Sequence, residues 1–358
     1  MENQLKRFLL KFLIFASPIL LLWIVEAFIL PPDYFTYRLW ESLQYASQVP
    51  HVGPFYPNTT IAMTEEGDLG HHTSKALLKH VIWKTDEWGF RNDSFIPDPD
   101  ILIVGDSFMA GCGLSQEETL AKRLSAELGS STKIYVAAPV AFSDIKYLFE
   151  HDILRRPKLL IFSIVERSVP RPLSLSEIDP LDISAETYTF KRKLYGWTGF
   201  DALYDKLTRF YSVEWAIARI NGKHGNGITG MDHSMLFLQG KNSTRNDSAR
   251  LANTTRNLLA YKKYCDLLHI RFLFLPMPNK ETVYYDRIPL SKQPDYLFRL
   301  DSALTVSGVS TVNTLSLYNE AKKKGVMLYH PDDTHWNGNA TQLVAKAVSQ
   351  FLYAGLYK

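Results

Sequence analysis

A serine hydroxyl becomes a nucleophile only when a base accepts its proton and a third group orients that base. The 358-residue chain carries these residue types in two short stretches, Gly105-Asp106-Ser107-Phe108 and Asp332-Asp333-Thr334-His335-Trp336. Ser107 is the candidate nucleophile and His335 the candidate base. Two carboxylates precede the histidine, so Asp333 and Asp332 are alternative orienting acids. The chain order Ser, Asp, His is one of the known orders for such triads. A lone Gly-Asp-Ser is a weak signal, because strand–helix junctions use the same residues for turns and caps. The two stretches together, each in a fitting context, are a stronger one.

The context is a parallel sheet. Ile101-Leu102-Ile103-Val104 is an apolar run that ends at a glycine, as a buried parallel strand does. Ser115-Gln116-Glu117-Glu118 is a capping box, followed by Leu120, Leu124 and Leu128 on one helical face. Ser107 then lies just past a strand's carboxyl end, where open α/β sheets place their sites. Strands are expected at 101–105, 133–137, 158–164, 270–276 and 309–313. Helices are expected at 116–128, 143–155, 248–268, 296–306, 314–324 and 340–356. Such alternation predicts an α/β domain with a doubly wound parallel sheet. Residues 171–245, opened by Pro170-Arg171-Pro172 and carrying Gly196, Gly222, Gly225, Gly227 and Gly230, read as an insertion or lid over it.

The N-terminus predicts a membrane anchor. Lys6, Arg7 and Lys11 flank an apolar run that stops at Pro31-Pro32. As a helix, residues 8–30 would span about 35 Å, enough for a hydrocarbon core of about 30 Å. The basic flank belongs on the cytoplasmic side, so the remainder of the chain is expected outside it. A cleaved signal peptide is the rival, since Val25-Glu26-Ala27 has small residues at the two positions a signal peptidase reads. The expected organisation is an anchor at 1–32, a juxtamembrane segment without clear periodicity at 33–80, and one domain at 81–358.

Composition excludes several classes. At 46% hydrophobic and 22% charged residues the chain can bury a full core, and its net charge of +3 gives no reason to expect nucleic acid. Cys112 and Cys265, expected on a loop and a helix, are read as unpaired, and no Cys/His spacing suggests a metal. No cofactor is expected. Trp83, Trp88, Trp197 and Tyr285 could cover sugar faces or fill the core equally well.

With these residues in view, the chain resembles the SGNH (GDSL-type) hydrolases, and more narrowly the periplasmic branch that includes the alginate O-acetylation proteins. Thr85-Asp86-Glu87-Trp88-Gly89-Phe90-Arg91-Asn92 is similar to a short hairpin that branch carries before its serine strand. Ile161 through Arg167 resembles a strand ending in Glu-Arg, and Phe274 through Lys280 with Tyr284 resembles a strand followed by a Pro-x-Lys loop. Tyr329 through Asn337 resembles its closing Asp-x-His-Trp-Asn, which favours Asp333 over Asp332 as the acid. The likeness spans roughly 85–350, with about 175–245 unmatched.

The resemblance implies a three-layer, flavodoxin-like SGNH fold and transfer of an acyl group through an ester on Ser107. It also implies a glycan acceptor, a membrane O-acyltransferase as donor, and a location at a bacterial inner membrane with the domain in the periplasm. Trp336 is expected to wall the site. There are departures. The alginate proteins place Asp-x-His before the serine. The superfamily's second-block glycine is absent from Val136-Ala137-Ala138-Pro139, and Glu166-Arg167 stand where its third-block asparagine should be. Ala138 and Arg167 are therefore the candidate substitutes in the oxyanion hole, beside the Ser107 N–H. An esterase of the same fold and a non-catalytic scaffold in polysaccharide export are the alternatives.

Overall fold

The computed structural model describes residues 2–30, 34–36, 39–44, 53–173, 204–205, 207–221, 227–238 and 248–356. Gly196, Trp197, Gly222, Gly225 and the Pro31-Pro32 stop lie outside them. The apolar N-terminal run forms one helix, α1 (Glu2–Phe28), with a candidate span at Gln4–Phe28 of mean hydropathy 2.4.

Five parallel strands make the central sheet: β3 (Ile101–Val104), β4 (Ile134–Ala137), β5 (Leu159–Val165), β8 (Arg271–Met277) and β9 (Ser310–Thr311). Every residue of β3 is buried, as are all but one in β5 and in β8, so these strands are covered on both faces. Their spatial order is β4-β3-β5-β8-β9, with Leu102 opposite both Tyr135 and Leu160, and Leu160 opposite Phe272. This is the flavodoxin-like doubly wound order, whose direction reverses between β3 and β5.

Right-handed crossovers then fix the layers. The helix after β3, α2 (Leu120–Leu128), goes to one face, where it packs on the C-terminal helix α8 (Gly338–Leu356). The helices α3 (Phe142–Glu150), α5 (Ser248–Leu267) and α6 (Tyr296–Val306) go to the other. There Phe142 stacks on Tyr261 at 4.1 Å, and α6 packs on α5. The helix α7 (Thr314–Lys323) joins α8. The chain is an α/β fold with a five-stranded parallel sheet between two helical layers.

Two expected helices are shorter. The capping box closes on a single 3₁₀ turn, Gln116–Glu118, with the Glu118 carboxylate accepting the Ser115 N–H at 3.0 Å. Thr119, extended at ψ 153°, separates that turn from α2. The helix expected to run to 155 ends at Glu150. Its Ile153 and Leu154 N–H groups fold back to the Leu148 carbonyl around Asp152, which sits in the left-handed region at φ 53°.

The boundary expected at residue 81 falls inside a strand. β1 (Thr60–Glu65) pairs antiparallel with β2 (Lys79–Lys84), and Glu65 stands directly opposite Lys79. Val81 and Trp83 point into the core, so this pair belongs to the domain. From the described part of the insertion, α4 (Tyr211–Ile220) and the short antiparallel pair β6 (Ile228–Thr229) and β7 (Leu236–Phe237) are seen.

Arg91 fixes the loop after the serine. Its buried guanidinium donates to the carbonyls of Ala110, Gly111, Leu114 and Ile82 and to the Gln116 side chain, and it lies 3.8 Å over the Trp83 ring. Burial pulls its pKa down to about 10. Replacing it orphans several buried carbonyls at once. Arg91→Met should cost about 3 kcal/mol or more, read as a clear drop in melting temperature. A variant that melts with the wild type would contradict this role.

Candidate active site

The two stretches singled out in the sequence meet at the carboxyl end of β3, beside the point where the strand order reverses. His335 Nδ1 lies 2.7 Å from Asp333 Oδ1, and His335 Nε2 lies 2.9 Å from Ser107 Oγ. The tautomer follows from the acid. Burial would raise the Asp333 carboxyl, but the Lys79 ammonium and the hydrogen bond from the His335 ring hold it well below the usual carboxylate range. An ionised carboxylate only accepts, so Nδ1 carries the proton and Nε2 is left to accept from the Ser107 hydroxyl. Asp333 Oδ1 also accepts the His335 backbone N–H at 2.9 Å, which locks acid and base in one turn.

Asp332 is turned away from the imidazole. Its Oδ2 accepts the N–H groups of Gly67 and Leu77, both at 2.8 Å, and its carbonyl accepts those of Leu69 and Gly70. A Cβ on Gly67 would stand 2.3 Å from that carbonyl oxygen, so the approach requires glycine. Asp68 completes the clamp by accepting from Thr334 N and Oγ1 at 2.7 and 2.6 Å.

The other oxygen of Asp333 accepts from Lys79 Nζ at 3.0 Å, and Glu65 lies 3.8 Å from the same ammonium. Burial works against the charged Lys79, yet Asp333 and Glu65 leave its pKa raised. Glu65 itself is pushed up to about 7 by burial, against the pull of Lys79. Lys280 grips the turn from the opposite side. Its buried ammonium donates to the carbonyls of His330, Pro331 and Asp333 at 2.7, 2.9 and 3.0 Å, and burial brings its pKa down to about 8.

Gly105 lets the nucleophile turn approach β5, since a Cβ there would meet the Ser163 carbonyl at 2.5 Å. Asp106 then bridges the two. Its carboxylate accepts Phe108 N at 3.0 Å and Val165 N at 2.7 Å, and burial raises its pKa. The Ser107 N–H donates to no acceptor among the described residues. Of the two other oxyanion candidates, Ala138 is buried just past β4, and the Val140 N–H behind it donates to Gly105 at 3.2 Å. Arg167 is half-buried, donates to Asn279 Oδ1 at 3.2 Å and acts electrostatically on Asp106, which places its charge near the serine turn. The neighbouring Glu166, pushed to about 7 by burial, accepts the Asn279 N–H at 2.9 Å.

Trp336 does not wall the site. It is fully buried with its ring 6.0 Å from Phe108, which in turn packs 4.9 Å from the His335 ring. Trp83 is also core, and Trp88 packs on Phe95. A cavity of about 10 Å³ beside the acid is lined by Trp40, Glu65, Asp68, Cys112, Gly113 and the Asp333–His335 pair, too small for an acyl group.

Both cysteines are free and buried. Donor atoms converge within 4.8 Å in two groups among the described residues, Asp68–Asp333–His335 and Glu66–His71–His72. In the first the imidazole is already engaged by Asp333, with the Lys79 cation alongside. In the second His72 Nε2 is 2.8 Å from the Tyr34 carbonyl. Neither is read as a metal site.

Residues 232–357 match the SGNH hydrolase-like domain of the acetyltransferase AlgX. The match covers about a third of the chain and is a likeness of that part alone. That part contains Lys280, Asp333, His335 and Trp336, whereas Ser107, Ala138, Arg167 and Lys79 lie outside the matched residues. A comparison with curated proteins finds no match. Among solved structures, the chain is similar to Axe2, an acetylxylan esterase from Geobacillus stearothermophilus, at 13% identity and TM-score 0.33, covering 71% of this chain and 95% of that one. A catalytic mutant of Axe2 gives 14% identity and TM-score 0.34, covering 71% and 94%.

Lys79, Glu65, Asp68 and Arg91 were not singled out from the sequence as site residues. A signal for the first two exists. Lys79 shares strand parity with Val81 and Trp83, and Glu65 with Ile61 and Met63, so both charges fall on an inward face. The geometry separates the two aspartates by experiment. Asp333→Asn should cost turnover up to about 10⁴-fold by losing the tautomer and the imidazolium partner. Asp332→Ala orphans two backbone N–H groups and should cost about 2–3 kcal/mol of stability, with turnover within about tenfold of wild type. Turnover and melting temperature for both variants check this, and the reverse pattern would transfer the role to Asp332.

Proposed function

We propose that the protein is an exported, membrane-anchored O-acyltransferase that carries an acetyl group on Ser107 and passes it to a hydroxyl of a polysaccharide. The observation that carries this reading is the hydrogen-bonded series Asp333–His335–Ser107 beside an uncommitted Ser107 N–H. Ser107 Oγ attacks the acyl carbonyl as His335 Nε2 takes its proton. The oxyanion is met by the Ser107 N–H and the Arg167 guanidinium, and His335 returns the proton to the leaving oxygen. A sugar hydroxyl then attacks the acyl-serine as His335 takes its proton, and His335 passes that proton to Ser107 Oγ as the acyl–serine bond breaks. Asp333 stabilises the imidazolium in both halves.

The match to an acetyltransferase domain favours transfer over hydrolysis. Retention of α1 is supported by its last turn. Ala27, the residue before the rival cleavage point, is buried, Glu26 accepts from Ser212 N and Oγ, and Trp23 Nε1 donates to the Leu207 carbonyl at 2.8 Å. With Lys6, Arg7 and Lys11 on the cytoplasmic side, the domain faces the periplasm of a bacterial inner membrane. Acyl-CoA is not expected there, so a membrane O-acyltransferase is the fitting donor.

The test is turnover of p-nitrophenyl acetate by the full chain with and without an unacetylated oligosaccharide. Acetylated sugar is the expected product, and Ser107→Ala should lower turnover by about 10⁴-fold or more while melting normally. Free acetate alone, even with acceptor present, selects the esterase, and an inert wild type selects the scaffold.

A further inference from the structure

The insertion contributes a helix with its apolar side on the outside. In α4, Val213, Ile217 and Ile220 recur at the spacing of one helical face, with Ala216 between them. They are 49%, 54% and 84% exposed, whereas Tyr211, Ser212, Trp215 and Ala218, on the other side, are half-covered. A helix of a water-facing lid has the opposite arrangement, so this face calls for an apolar cover.

The position of α4 says what that cover is. Glu26, in the last turn of α1, accepts from Ser212 N at 3.1 Å and from Ser212 Oγ at 2.6 Å, which caps the first turn of α4. Trp23 Nε1 donates to the Leu207 carbonyl just before α4. The side chains of 4–22 are almost wholly exposed, while Trp23, Val25 and Glu26 are partly covered and Ala27 is buried. With Lys6 and Arg7 at the cytoplasmic end, a hydrocarbon core of about 30 Å entered near Phe8 is crossed by about 20 residues, as far as about Ala27. The outer lipid boundary therefore falls near Glu26 and Ala27, with Trp23 about one turn inside it, an aromatic of the kind that sits at such interfaces. What is bonded to Trp23 and Glu26 therefore lies at this outer interface.

We propose that α4 lies in the outer headgroup layer of the same bilayer that α1 spans, with Val213, Ile217 and Ile220 covered by lipid. This rests on the reading of α1 as a retained anchor. Arg219, in the last turn and 4.5 Å over the Trp215 ring, is placed to meet lipid phosphates from the helix flank. Beyond α4 the insertion returns to the site. The Gly227 N–H donates to the Leu69 carbonyl at 3.0 Å, and the Leu236 N–H to the Pro331 carbonyl at 2.7 Å, next to Asp332. One segment thus touches both the membrane and the acid–base turn, and sets the site's height above the bilayer.

The test uses the full chain in nanodiscs of phosphatidylethanolamine and phosphatidylglycerol. A single thiol is introduced by Ile217→Cys or Ile220→Cys and labelled with an environment-sensitive dye, Cys112 and Cys265 being buried. Leu13→Cys, labelled alike, reports on α1. Expected are a blue-shifted emission at 217 and 220, strong quenching by lipids bearing a nitroxide near the headgroup, and weak quenching by aqueous iodide. Iodide quenching at 217 and 220 like that of free dye, with Leu13 quenched by lipid, overturns the inference and leaves the anchor standing. Protection from both quenchers overturns it in favour of a protein cover such as a second copy. Loss of lipid quenching at Leu13 as well removes the anchor reading itself.

Discussion

On the proposed reading a buried carboxylate must keep its charge for the base to be oriented, and that carboxylate is Asp333. Burying an ionised group costs several kcal/mol unless it is paired and hydrogen-bonded. Asp333 meets the condition with three donors: the His335 ring, the His335 backbone N–H and the Lys79 ammonium. The last is the unusual one. It places a cation behind the acid and brings in Glu65, directly across the β1–β2 pair, as the balancing charge. Lys79 is needed to hold the acid ionised, and at the same time draws on the negative charge that His335 would otherwise have to itself.

The rest of the architecture holds the two halves of the site at hydrogen-bond distance. The acid–base turn is gripped from one side by the 67–79 segment, through Asp332 and Asp68, and from the other by Lys280. The serine turn is held to β5 by Asp106, and its trailing loop by Arg91. Glu166 and Arg167 at the end of β5 both bond Asn279, the residue before Lys280. Serine turn, β5, Asn279-Lys280 and the histidine turn therefore form one continuous chain of buried polar contacts. Such networks rigidify when every member is satisfied.

Much of this was legible in the sequence, for identifiable reasons. Apolar runs marked β3, β5 and β8, because strands buried on both faces leave no alternation to misread. Ser107 and His335 stood out because their neighbours fit a strand end and a closing turn. The segment before residue 81 did not stand out, because β1 and β2 carry charges at positions that face inward. A buried Lys–Glu pair looks like solvated polarity until the partner strand is known. Trp336 was misplaced for a similar reason, since adjacency in sequence says nothing about side-chain direction. Whether Asp332 or Asp333 faces the ring depended on contacts to residues 67 and 77, about 260 positions away.

The central claim is that Ser107, activated through His335 and Asp333, forms a covalent ester. The most direct measurement is the intact mass of the full chain, acid-quenched during turnover of p-nitrophenyl acetate, followed by peptide mapping. The account predicts one added acetyl group on the peptide containing Ser107, lost on adding an acceptor and absent in Ser107→Ala. An enzyme that turns over the ester with no acetyl on Ser107, or with the acetyl on another residue, would contradict it.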